Sequence, residues 1–223
     1  MGVPSPATVA ILAFPETTAS VVYGMYDLFA SAGRDWGFVV NGAPGPEIMR
    51  PVVVAATDEA FKAANGVTLK PHAAFERTGP ADIVCVPELA VPPGDDLGDR
   101  FTRELAWIRA CYEAGATVAS ACSGAVLLAE AGLLDGQDAT THWAYCDVLQ
   151  RKYPKVRVHP ERALVLSGQA QRLVMGTAAG SGIFIGPPCW PPPGRDRRRM
   201  TTHGGEAVVT KRRYVTRPNA VRR

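Results

Sequence analysis

No apolar run in the sequence approaches the roughly 20 residues needed to cross a bilayer, and the N-terminus has no basic stretch followed by a long apolar one. Neither a membrane span nor an export leader is expected, and the cytoplasm is the expected compartment. Cysteine is sparse. Cys85, Cys111, Cys122, Cys146 and Cys189 are widely spaced and odd in number, which argues against a disulfide framework and against a zinc cluster. No ligand pair has helical or short-loop metal spacing, and there is no phosphate-cradling glycine motif, so neither a metal nor a cofactor is expected. No internal repeat is present.

What remains is a chain of 223 residues with 47% apolar content, enough for one well-filled core and too short for two comfortable domains. Its net charge of +3 conceals an asymmetry. Residues 1–176 carry 14 Lys and Arg against 19 Asp and Glu, whereas residues 177–223 carry 10 against 2. The second part is rich in Pro and Arg and has no pattern that completes a core. The expected division is therefore a domain over 7–176 and a basic tail over 177–223.

Within the domain, apolar runs and helical spacings alternate. Residues 9–14 read as a buried central strand closed by Pro15, followed by a helix to about Ala32 whose N-cap candidates are Thr17, Thr18 and Ser20. Residues 36–40 read as a second strand, 41–46 as a loop and 52–55 as a third strand. Asn65-Gly66 marks a small hairpin. Residues 82–87 form another strand ending at Pro87, and a helix follows from about 99 to 114. Residues 117–122 are a strand that turns abruptly into a helix, another helix runs from Trp143 to about Tyr153, and 156–158, 163–167 and 172–175 read as strands. Such alternation predicts an α/β fold with a mostly parallel sheet covered on both faces. Ligands then bind at the carboxyl ends of its strands, near 14–16, 86–88 and 121–122.

Cys122 stands on the sharp turn between strand and helix. Ala121, Ser123 and Gly124 suit a backbone with positive φ there, and the first helix amides face the thiol. Two readings follow: a nucleophile whose thiolate those amides stabilise, or a buried small residue. Cys85, Cys111 and Cys146 lie inside elements and read as packing residues. His142, beside Trp143, reads either as a base or ligand contact, or as a hydrogen-bonded packing residue. Glu16 and Glu88 each follow a strand-ending proline at the pocket mouth. Tyr23 and Gly24 allow the first helix to approach the elbow.

The elbow Ala121-Cys122-Ser123-Gly124, continuing through residues 128–136 to Ala139-Thr140-Thr141-His142-Trp143, resembles the ThiJ/PfpI superfamily, also called class I glutamine amidotransferase-like. Within it, the chain is similar to the sensor domain of AraC-type transcriptional regulators of the GlxA kind. The resemblance covers about residues 7–176. It implies a three-layer α/β sandwich with a nucleophile-elbow cysteine, a small-molecule ligand and a homodimer. Two departures matter. Superfamily hydrolases commonly carry a histidine after the nucleophile, where this chain has Ser123, and an acid from the first helix, where it has Val21.

The implied function is a ligand-sensing, amidase-like domain of a transcriptional regulator, truncated before its helix-turn-helix region. Its ligand would touch Glu16, Tyr23, Gly24, Glu88, Leu89, Cys122 and His142. The alternative is a cysteine-dependent hydrolase or hydratase acting on a small C–N substrate. In it Cys122 attacks, the amides of Ser123 and Leu89 hold the developing anion, and His142 transfers protons. Relatives of the regulator kind continue past the position of Met175 with a glycine-rich turn, a long amphipathic helix and two helix-turn-helix units. Residues 177–223 show none of this pattern and are expected to be disordered or the product of a shifted reading frame. DNA contact is then expected only through the missing region, or weakly through the basic tail.

Overall fold

The computed structural model of the protein describes residues 5–177. In chain order these form β1 (Ala7–Leu12), α1 (Ala19–Ser31), α2 (Arg34–Asn41), β2 (Met49–Ala55), β3 (Phe61–Lys62), β4 (Thr68–Leu69), β5 (Ala73–Ala74) and β6 (Ile83–Val86). Then follow α3 (Thr102–Glu113), β7 (Thr117–Ala121), α4 (Ala125–Glu130), β8 (Asp138–Ala139), α5 (Trp143–Lys152), β9 (Arg157–Val158), β10 (Leu164–Ser167) and β11 (Leu173–Gly176).

Strands that are apolar on both faces belong inside a covered sheet, and β1 shows why. Its Ala10 and Leu12 enter a core with Val84, Val118, Phe101 and Leu149, while Val9 and Ile11 enter a second core with Val21, Val22 and Val53. The first core lies under α3, α4 and α5, the second under α1. The sheet has seven strands in the order β10-β11-β7-β6-β1-β2-β5, parallel throughout except for the β10–β11 hairpin. This is the α/β fold with helices on both faces that the alternation predicts. The parallel strands β1, β6 and β7 end side by side.

Two expectations change. Residues 36–40 are helix α2, not a strand: the place beside β1 is filled by β2, paired from Ala7↔Met49 to Leu12↔Val54. Without a neighbour to bond its backbone, the apolar segment coils and satisfies its own amides, capped by Gly42 in the left-handed conformation. Residues 156–158 contribute only β9, which pairs with β8 outside the main sheet. The hairpin at Asn65-Gly66 forms as β3 and β4, with Gly66 at φ +81. On β10, Leu164 and Leu166 are about half exposed. No helix among the described residues is long and apolar enough to cross a membrane. Apart from Thr177, the tail lies outside the described residues.

Candidate functional site

β7 runs into a single 3-10 turn, Cys122–Gly124, before α4 begins. Cys122 occupies it with φ +55, a left-handed conformation that is sterically costly for a residue with a Cβ. The turn is tight because Gly124 lies on the end of β6: a Cβ there would stand 2.3 Å from the Pro87 carbonyl oxygen and 2.8 Å from that of Val86. Cys122 itself is buried. Its helix has only six residues, so the helix dipole facing the thiol is short.

The polar groups around the turn bond one another. Ser123, buried, accepts a hydrogen bond from the Leu89 amide at 2.9 Å and donates one to the Leu89 carbonyl at 2.9 Å. Tyr145 on α5 donates to the carbonyls of Leu89 and Val91. Burial raises the Tyr145 hydroxyl above the usual phenol range, and the neighbouring Cys122 also raises it. Thr141, which sequence reasoning did not single out, donates to the Cys122 carbonyl at 2.9 Å. These bonds fasten the 88–91 loop and the start of α5 to the elbow. They also engage the Leu89 amide, which the alternative reading assigned to a developing anion.

His142 is the N-cap of α5, and its Nδ1 accepts from the Ala144 amide at 3.3 Å. Nδ1 therefore carries no proton, and in the neutral ring the proton sits on Nε2. Burial lowers its pKa, favouring that neutral ring. The ring lies between Trp143 and Tyr145, with centroids 5.3 Å and 6.2 Å away. In that tautomer Nε2 is a donor and cannot accept a thiol proton.

On the other side of the elbow stands Glu88. Val86 pairs with Ser120, so two residues further on Glu88 and Cys122 leave adjacent strand ends. Glu88 is 5% exposed. Its Oε1 accepts from the Thr18 amide at 2.9 Å and from the Thr18 hydroxyl, which explains why Thr18 precedes α1 without a side-chain cap of its own. Its Oε2 is buried without a hydrogen-bond partner, as is Oγ1 of Thr17. Burial raises the carboxyl above the usual carboxylate range, while the Thr18 bonds pull it back.

The position expected to carry an acid in hydrolases, Val21, is packed into the core under α1 together with Ala121. A buried acid is thus present at the strand ends, supplied from β6 rather than from α1. Glu16 is partly buried, and its carbonyl accepts from the Ala90 amide at 2.6 Å. It also raises the pKa of Glu104, a second buried acid on α3, whose main cause of elevation is burial. Tyr23 is exposed on α1 and Gly24 half-buried, and neither takes part in these hydrogen bonds. Among the described residues, the other thiols pack inside elements: burial pushes Cys85 up to about 12 and raises Cys111, and Cys146 bonds the carbonyls of Thr141 and His142. Behind Leu89 and Tyr145 a cavity of about 20 Å³ has room for a single water.

Residues 9–174 match the profile of the DJ-1/PfpI family. An isonitrile hydratase of Pseudomonas putida is 33% identical over 147 residues, 63% of this chain and 54% of that protein. The HTH-type transcriptional regulator CdhR of Pseudomonas aeruginosa is 32% identical over 120 residues, 52% of this chain and 33% of the regulator. The chain thus spans about half of one of these relatives and a third of the other. Among solved structures, an AraC family transcriptional regulator from Pseudomonas putida superposes with a TM-score of 0.58 at 16% identity, covering 79% of this chain and 86% of that one. At that identity the likeness concerns the fold.

Proposed function

The chain belongs to the DJ-1/PfpI family, and from that premise we propose that it is the ligand-sensing domain of an AraC-type transcriptional regulator, binding a small metabolite at the carboxyl ends of β1, β6 and β7. The observation that carries this reading is the contrast at those ends. The Ser123 hydroxyl, the Leu89 amide and the Cys122 carbonyl are engaged internally, whereas Glu88 keeps one buried carboxylate oxygen without a partner. A buried polar atom left unpaired costs about 1–3 kcal/mol, which a ligand that bonds it recovers. A buried carboxyl oxygen without a partner accepts hydrogen bonds, so it suits the donor group of a small neutral or cationic metabolite. His142 Nε2 supplies a donor. In this reading the protein is cytoplasmic and homodimeric, and DNA is reached through a helix-turn-helix region of the intact regulator.

Residues 177–223 are then the product of a shifted reading frame. The test is the nucleotide sequence: an amphipathic helix and helix-turn-helix units in another frame support the shift, and their lack in both other frames overturns it.

A second reading, a cysteine-dependent hydratase or hydrolase on a small C–N substrate, is favoured by the identity to isonitrile hydratase and by the left-handed backbone of Cys122. The two are separated by screening small amines, amino acids and amides for thermal stabilisation. The sensor reading expects stabilisation that persists in Cys122→Ala and is lost in Glu88→Gln. Stabilisation lost in Cys122→Ala and kept in Glu88→Gln would contradict it.

A further inference from the structure

The segment between β1 and α1 is fixed by its backbone, and one buried side chain in it has no bond to make. The Thr17 amide donates to the Phe14 carbonyl at 3.1 Å, the Thr17 carbonyl accepts from the Ala64 amide at 2.9 Å, and the adjoining Glu16 carbonyl accepts from the Ala90 amide at 2.6 Å. Thr17 is fully buried, yet its hydroxyl has no hydrogen-bond partner. A β-branched residue of the same shape without the hydroxyl, as at Val21 and Val22 one turn later, would fill the place and leave no polar atom unpaired. Packing alone gives this hydroxyl no role.

Its position beside Glu88 supplies one. The β1–β6 register, Val9↔Ile83 to Ile11↔Cys85, brings Phe14 beside Glu88 when both strands are continued, and the turn after Phe14 returns Thr17 to that point. The Thr18 amide nitrogen, which holds Glu88 Oε1 at 2.9 Å, is bonded directly to the Thr17 carbonyl carbon. Two buried oxygens without partners thus stand at one strand end, Oγ1 of Thr17 and Oε2 of Glu88. Both accept hydrogen bonds. We propose that they form a two-point subsite for a nitrogen bearing at least two hydrogens, a primary ammonium or an unsubstituted amide, and that Thr17 sets the preference for it over N-methylated forms. One N–H is donated to Glu88 Oε2 and another to Thr17 Oγ1. An N-methyl group removes one of these bonds and leaves a buried oxygen unpaired against carbon, which is how a polar site rejects a close analogue. This subsite rests on the ligand-sensing reading above and adds to it the group that is taken and the residue that selects it.

Isothermal titration calorimetry of the full chain with propylamine, N,N-dimethylpropylamine, propionamide and N,N-dimethylpropionamide tests it, the two pairs separating the ammonium from the amide. In at least one pair the unmethylated probe is expected to bind at least about tenfold more tightly than its dimethyl form. Thr17→Val keeps the shape and is expected to fold with an unchanged or higher melting temperature, to weaken the unmethylated probe about tenfold and to cut the preference below about threefold. Thr17→Ser keeps the hydroxyl and is expected to keep the preference. A preference that survives in Thr17→Val while binding is lost in Glu88→Gln overturns the subsite and leaves the sensor reading standing. Equal or tighter binding of the dimethyl forms in both pairs does the same. Binding of none of the four probes, or binding unmoved by both Thr17→Val and Glu88→Gln, overturns the subsite together with the reading that Glu88 meets the ligand.

Discussion

The two sides of the β6 end are built differently. On the elbow side, hydrogen bonds of Ser123, Leu89, Tyr145 and Thr141 join the loop, the turn and α5 into one unit, beside which Ser120 Oγ and Trp143 Nε1 are buried without partners. On the α1 side, Thr18 holds only one oxygen of Glu88, and Oε2 of Glu88 and Oγ1 of Thr17 are buried without partners. The closed side resembles a frame and the open side a receptor. In the proposed reading, the cysteine on its left-handed turn marks the place of the site, and Glu88 rather than the thiol meets the ligand.

Breaking the frame should have the largest effects. Gly124→Ala forces a Cβ onto the backbone carbonyls of Pro87 and Val86, which have no side-chain freedom to yield. A loss of about 3 kcal/mol in chemical denaturation is expected, at the upper end for overpacking. Ser123→Ala leaves the Leu89 amide buried and unbonded, and should cost about 1–3 kcal/mol in the same measurement. Thr141→Val, similar in shape, removes one bond to the Cys122 carbonyl and should cost about 1 kcal/mol.

On the open side the effect is one of pH rather than of size. Burial raises the folded-state pKa of Glu88 above its unfolded value of about 4.5. The stability this group contributes is therefore complete below about 4.5 and is lost as pH rises through the elevated folded value. Glu88→Gln, neutral throughout, should flatten that part of the profile of melting temperature against pH while leaving the acid end unchanged. His142 acts in the opposite sense. Its pKa is lowered by burial, so stability falls as pH drops below about 6.5, where the unfolded chain takes up the proton. His142→Asn, which retains an N-cap acceptor, should reduce this slope.

Much of the frame was legible in the residues themselves. The runs in β1, β6 and β7 are bounded by proline, glycine or small residues, and α3 carries its period from Phe101 to Tyr112, so elements and their order follow from local pattern. The positive φ of Cys122 follows from its small neighbours. Trp36 to Val40 was misread because an unbroken apolar run has the same appearance in a buried strand and in an exposed helix. Only the occupation of the sheet position by β2, a long-range fact, decides between them. The receptor side was partly hidden for the same reason. Glu88 stands out as a carboxylate after a strand-ending proline, but its bond to Thr18 joins residues 70 positions apart, and no spacing announces it. The engagement of the Leu89 amide by Ser123 spans 34 positions and was equally invisible. Residue identity located the site, and the division between frame and receptor required the fold.

The central claim is that this site binds and does not turn over. It is tested most directly by incubating the wild type and Cys122→Ala with a panel of small isonitriles, nitriles and amides and measuring product. No turnover by either protein is predicted. Turnover by the wild type that disappears in Cys122→Ala would contradict the account and make Cys122 a nucleophile.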